Sequence, residues 1–310
     1  MIASQTPRPP IAQNGFIVVA VLWIIGALAT LAVIYAAYVG NAASSISVAD
    51  DRLQSEALMT AALELTAFQL TAAKGETVPT HGQFNFRAGR ASVSAQFASE
   101  SARIDLNKAP KELLAGLFGV LGADPAQAKD YAVNVIAWRT PPRPQTADDE
   151  TSRYRAAGLN YAPRGGPFTH VDELWLVRGL PPELVERTIP YLTVYSGIAG
   201  INALEAAPEV IAALPGMTRD TLNAVLHQRQ TAPQDARSVS TLLPAQAGAS
   251  TEVSKASRIE VHIDFENGRR VASEAVIAVS DDTDTPYRIL SWHDGFDDPA
   301  PGKQPTTMRQ

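Results

Sequence analysis

From Gly15 to Gly40 the chain runs GFIVVAVLWIIGALATLAVIYAAYVG without one charged residue. About 25 residues of that kind, each rising about 1.5 Å in a helix, span the roughly 30 Å hydrocarbon core of a bilayer with some tilt. A cleaved secretory signal is the competing reading, since the small residues of GNAAS at 40–44 offer a cleavage site. The apolar run is far longer than an ordinary signal core, however, so the segment is read as a retained membrane helix.

The helical pattern continues past the bilayer. Apolar residues recur at Ile46, Ala49, Leu53, Ala57, Ala61, Leu65 and Phe68, close to the helical period, until Lys74-Gly75 supplies a stop. One helix from Phe16 to about Ala73 is predicted, roughly 85 Å long at about 1.5 Å per residue. Its outer half should bury this stripe on a globular domain, and its inner half should meet lipid or the helices of other subunits.

Beyond the helix the chain alternates. Phe84 and Phe86, then Val93, Ala95 and Phe97, form two period-two runs around a Gly-containing turn and predict a hairpin. RIEVHIDFENG at 258–268 alternates Ile259, Val261, Ile263 and Phe265 with polar residues and closes on Asn267-Gly268, a two-residue turn signal. With EAVIAV (274–279) and YRILSW (287–292) these strands predict an antiparallel sheet covered by the long helix, an α+β unit. The predicted organisation is a polar leader at 1–15, a membrane-spanning part at 16–40 and the rest of the helix with the first strands at 41–100. A helical insert at 101–230, closing strands at 231–298 and a disordered tail at 299–310 complete it.

The middle carries an internal repeat. IDLNKAPKELLAGLFG (104–119) and INALEAAPEVIAALPG (201–216) align at a constant offset of 97, matching Ile104 with Ile201, Glu112 with Glu209, Leu117 with Leu214 and Gly119 with Gly216. Each copy enters a helix at a proline, turns after a glycine and continues into a second helix ending near AWR (137–139) or HQR (227–229). A further helical pair is predicted over 168–192, with Thr169 as cap, Gly179 as stop and Pro181-Pro182 as restart. The stretches from Arg139 to Phe168 and from about Thr231 to Ala256 read as loops.

Such hairpins serve DNA-binding proteins, but charge argues against that here. The chain holds 26 Lys+Arg against 32 Asp+Glu, with a pI near 5.4. Residues 103–197 hold eleven of each sign, and 198–237 hold three basic against four acidic. Phosphate backbones are not attracted to such a surface, and the turns GVLGADP and GMTRD lack the Gly-x-Gly that admits phosphate to backbone amides. No nucleic-acid partner is expected. A membrane-tethered DNA receptor stays as the alternative, and an anchored scaffold as a second one.

A polar leader ending in Gly, then Phe, then an uncharged helix continuing into an amphipathic one, resembles the class III signal of pilins and pseudopilins. That resemblance implies removal of the leader after Gly15 by a prepilin peptidase on the cytoplasmic side and N-methylation of Phe16. The family's usual basic residue before the glycine is Asn14 here. Its usual glutamate at the fifth mature position is Ala20. A carboxylate at that depth costs about 3 kcal/mol unless paired, in this family with the N-terminal amine of an adjacent subunit. Its absence suits a subunit with none above it. Ala20 and Trp23 lie on the segment that would assemble within the membrane.

ARIDLNKAP, the RAAGLNYAPRGGPF loop, VDELWLVRGL and AGINALEAAPEVIAALPG, set between strands of a pilin-like sheet, closely resemble the general secretion pathway protein K family. These are the large minor pseudopilins of the type II secretion system. The resemblance implies a helical crown capping the pseudopilus tip with other minor pseudopilins as partners, a role in exporting folded proteins across the outer membrane, and no enzymatic activity. It places the chain in the inner membrane as a single-pass protein, N-terminus cytoplasmic and head periplasmic.

No catalytic constellation stands out. His81, His170, His227, His262 and His293 are scattered without metal-ligand spacing, and there is no cysteine. The acidic runs DDE (148–150) and DDTD (281–284) are the candidates for calcium, which some members of the family carry after the AWR helix. TPPRP stands at that place here, so no metal or other cofactor is assigned.

Overall fold

The computed structural model describes residues 14–72, 79–142, 147–232, 236–244, 248–249, 253–280, 282 and 285–294, with backbone alone for 14–16, 40–51, 147–149 and 294. The chain divides into two compact units, Met1–Ala57 and Leu58–Gln310. In the first, the described residues belong to helix α1, whose full extent is Asn14–Ala72. It begins two residues before the expected start, within the usual scatter of helix ends.

The second unit holds the last turns of α1 and then β1 (His81–Ala88), β2 (Ala91–Ser99), β3 (Ile104–Asp105), α2 (Lys111–Val120), α3 (Pro125–Arg139), α4 (Ala147–Ala156) and α5 (Pro182–Thr188). There follow β4 (Leu192–Thr193), α6 (Pro208–Ala212), α7 (Arg219–Thr231), α8 (Ala236–Leu242), β5 (Ala256–Phe265), β6 (Arg270–Val279) and β7 (Tyr287–Asp294).

Five strands form an antiparallel sheet in the order β1-β2-β5-β6-β7. β2 and β5 pair from Ala91 opposite Phe265 to Ser99 opposite Ser257, so everything between them, residues 100–255, is inserted between adjacent strands. The alternation seen in the sequence becomes burial. Val93, Ala95 and Phe97 of β2, Ile259, Val261 and Ile263 of β5, and Ala275 and Ile277 of β6 point to one face and are buried. Over them lie Leu58, Met59, Ala62, Leu63, Ala67 and Leu70 of α1, spaced to share one helical face. Burying a leucine of that kind stabilises by about 1.5–3 kcal/mol.

That is not the stripe the sequence suggested. Leu53, Leu65 and Phe68 are exposed, Phe68 at 68%, while the neighbouring positions carry the packing. Both stripes repeat at the helical period, and periodicity alone cannot choose between two apolar faces of one helix.

The insert has its own core, built on Leu113, Leu114, Leu117, Phe118, Val135, Trp138, Val210 and Ile211. α2 and α6, the first helices of the two repeat copies, meet at Gly116. A Cβ there would stand 2.0 Å from the Ala213 carbonyl oxygen, so only glycine permits the approach. Gly116 and Ala213 occupy the same position in the two copies, so the repeat packs against itself at equivalent residues.

Insert and sheet are joined at Glu100, which is 0% exposed. Its carboxylate accepts from Arg258 Nε at 2.8 Å, from Arg103 Nη1 at 3.3 Å and from the Thr193 hydroxyl, while Arg258 also donates to Glu274. Burial alone would lower the Arg258 guanidinium. Glu100 and Glu274 outweigh it and hold it above its usual value.

Three expectations need correction. The predicted loop from Arg139 to Phe168 contains α4, a polar helix held by the Glu150–Arg153 pair at 2.7 Å and anchored by buried Tyr154. The predicted loop from Thr231 to Ala256 contains α8. The segment Val171–Leu176 is a 3-10 turn whose cap is His170, accepting from the Asp172 amide, whereas the Thr169 hydroxyl donates to Glu173.

Candidate assembly site

Ile17–Val39 is a 23-residue stretch long and apolar enough to cross a membrane, and none of it is buried. Trp23 is 77% exposed, and Ile17, Leu22, Leu31 and Tyr38 are also bare. Ala20 is partly covered and presents only a methyl group. The backbone places Gly15 and Phe16 in the first turn of α1, and residues 1–13 lie outside the described part.

In the second unit Ala61, Leu65 and Phe68 form an outward apolar line along α1. Beside it Glu64 accepts from the Tyr287 hydroxyl at 2.9 Å. Partial burial, then the hydrogen bond and charge of Glu64, push the Tyr287 phenol up to about 12.

The two hairpin copies hold themselves together alike. In the first, Asp105 Oδ1 accepts from the Asn107 amide at 2.7 Å, and Arg139 donates to the carbonyls of Leu106 and Ala109, the latter at 2.7 Å. In the second, Asn202 Oδ1 accepts from the Leu204 amide at 3.0 Å, and Arg229 donates to the Ala206 carbonyl at 2.7 Å. Asp105, Asn107 and Ala109 stand at the repeat offset of 97 from Asn202, Leu204 and Ala206, so the alignment reports a shared turn and a shared carbonyl acceptor, whereas Arg139 and Arg229 lie 90 apart and reach that acceptor from outside the aligned repeat. Burial lowers both arginines from their usual value, opposed by Asp105 and Glu205 respectively. Burial also raises Asp105, against the Gly197 and Asn107 amides that stabilise its charge.

These arginines therefore face inward. Arg178 does too: its Nη2 donates to Asn134 Oδ1 at 3.2 Å, and its guanidinium lies 5.9 Å from the Tyr154 ring centroid. Trp175 differs, at 46% exposed beside exposed Leu176. An aromatic left bare in this way is available for a contact.

The amides of the first hairpin turn are taken up within the chain. Gly122 N donates to the Gly119 carbonyl and Ala123 N to the Phe118 carbonyl. Asp124 caps α3 by accepting from the Ala126 amide at 2.9 Å, which puts a carboxylate where an anion would have to sit. Among the described residues no group of three or more His, Asp and Glu is placed to hold a metal ion. The side chains of Asp148 and Asp149, and residues Asp281, Thr283 and Asp284, lie outside the described part.

Residues that sequence reasoning missed are chiefly Glu100 and Arg258, which meet across 158 positions and give no local signal. The Asx turns at Asp105 and Asn202 were visible within the repeat, as the paired IDLN and INAL.

Comparison with known proteins now adds to this geometry. Residues 83–197 match the family described as protein K of the type II secretion system. No curated protein matches the chain. A chain in the crystal structure of the GspK-GspI-GspJ complex from the enterotoxigenic Escherichia coli type 2 secretion system has the same fold, with a TM-score of 0.56 and 16% identity, over 80% of this chain and 98% of that chain. The α+β head thus has the fold of that solved chain, and residues 83–197 are similar to protein K of the type II secretion system.

Proposed function

We propose that the protein caps the tip of the type II secretion pseudopilus and supports export of folded proteins across the outer membrane as a structural, non-enzymatic subunit. The observation that carries this reading is the insertion of residues 100–255 between adjacent strands β2 and β5. A filament subunit must accept a neighbour above it, and a second core standing on its head obstructs that addition. Ala20 in place of the family's membrane carboxylate supports the same position, since a subunit with none above it has no amine to pair.

Partners are other minor pseudopilins, counterparts of the proteins in the GspK-GspI-GspJ complex. The bare span Ile17–Val39 would meet inner-membrane lipid and their membrane helices, and the outward line Ala61, Leu65 and Phe68 would meet the soluble part of one of them. The N-terminus is cytoplasmic and the head periplasmic, with prepilin peptidase cutting between Gly15 and Phe16 and Phe16 then N-methylated. No cofactor enters this role, and calcium has no assigned ligands.

The test is the mass and N-terminal sequence of the chain recovered from membranes containing a prepilin peptidase. A chain starting at methylated Phe16 is expected. One that retains Met1 would overturn the pseudopilin role and return an anchored scaffold to the front.

A further inference from the structure

Two of the scattered histidines are brought together by the fold. His170, at the start of the 3-10 turn in the insert, and His293, near the end of edge strand β7, have ring centroids 5.4 Å apart with planes at 46°. The Nδ1 atom of each ring is engaged: His170 Nδ1 lies 3.0 Å from Asp172 Oδ2, and His293 Nδ1 lies 3.1 Å from Ser291 Oγ. Nε2 is therefore the atom each ring has to offer.

We propose that His170 and His293 bind one zinc ion through their Nε2 atoms, with water completing the coordination. Zinc holds imidazole nitrogen at about 2.0–2.1 Å in tetrahedral geometry, which sets the centroids of two bound rings roughly 5 Å apart, close to the spacing found. Metal-bound histidines characteristically donate their other ring N–H to a carboxylate or similar acceptor, and Asp172 and Ser291 stand where those acceptors belong. With zinc on Nε2, His170 Nδ1 carries the proton and donates to the Asp172 carboxylate, giving up the Asp172 amide that it caps without metal.

Charge also suits a cation. The Asp172 carboxylate is beside His170, while Glu274, the cross-strand neighbour of His293, is already paired with Arg258. Nitrogen ligands favour a borderline metal such as zinc over calcium, which wants oxygen. Two protein ligands make the ion exchangeable. It would act as a clasp between the insert and edge strand β7, in addition to the ties made by buried Glu100 and by Glu205 with Thr80 and His81.

The test is calorimetric titration of the detergent-solubilised full chain with zinc chloride. One saturable zinc per chain is expected. His170→Ala and His293→Ala should each abolish that uptake, Asp172→Asn should weaken it about tenfold or more, and His262→Ala on the outer sheet face should leave it unchanged. A second readout needs no variant: on the wild-type chain, zinc should shield His170 and His293, but not His262, from carbethoxylation followed by mass spectrometry. Absence of saturable uptake, uptake unaffected in both histidine variants, or equal labelling of His170 and His293 with and without zinc would each overturn the proposal.

Discussion

Two apolar lines run along the same turns of α1, and among the described residues only one is buried against the sheet. Leu58, Met59, Ala62, Leu63, Ala67 and Leu70 are buried against the sheet, whereas Leu65 and Phe68 are bare and Ala61 only partly covered. A helix on the surface of a monomeric domain normally turns a polar face to water. The first line makes the head fold, and the second is the one that the proposed function assigns to a partner.

The largest effect should separate these lines. Leu63→Ala removes a fully buried side chain and should cost the head about 2–5 kcal/mol in denaturant unfolding, while Phe68→Ala should stay within about 0.5 kcal/mol. Equal losses would show that Phe68 also packs within the chain. Extending the contrast to the first unit, Leu28→Lys near the centre of Ile17–Val39 should cost about 3 kcal/mol of insertion and move chain out of the membrane fraction. Unchanged fractionation would mean that the segment does not reside in the bilayer.

Replacing the bare line itself, as Leu65→Ser with Phe68→Ser, should leave the head folded by circular dichroism. It should reduce co-purification with the proposed partners, minor pseudopilins, by about tenfold or more, the usual scale for a buried aromatic anchor. Undiminished recovery of partners would assign that face to water after all.

The smallest effect concerns the link from the edge of this line to the sheet. Tyr287→Phe removes the bond to Glu64 and should cost about 1 kcal/mol or less. The phenol is pushed above its ordinary value of 10.0 to about 12 in the fold, so its contribution is complete below pH 10 and fades as pH rises through about 12. Wild type should lose stability in that window, and Tyr287→Phe should flatten the loss.

Much of this architecture was legible in the residues. RIEVHIDFENG announced β5 and its turn, where Gly268 takes a φ of 86°, and the repeat at 104–119 and 201–216 foretold α2 and α6, each entered at its proline. What escaped has physical reasons. α4 has almost no apolar periodicity, and among its described side chains Tyr154 is the buried anchor. β3 and β4 are two residues each and pair in parallel across the insert, Ile104 with Leu192, too short to leave an alternating pattern. The choice of apolar face on α1 depended on which side met the sheet, a tertiary fact. Glu100 looked like any charged residue leaving a strand until Arg258 and Arg103 closed on it.

The claim that the insert closes the filament is open to direct inspection, because the chain contains no cysteine. A single Lys129→Cys on the exposed side of α3 can be gold-labelled in pseudopili assembled in cells and viewed by electron microscopy. One label at one end of each filament is the predicted result. Labels distributed along the filament would show that subunits add above the insert, and would contradict the account.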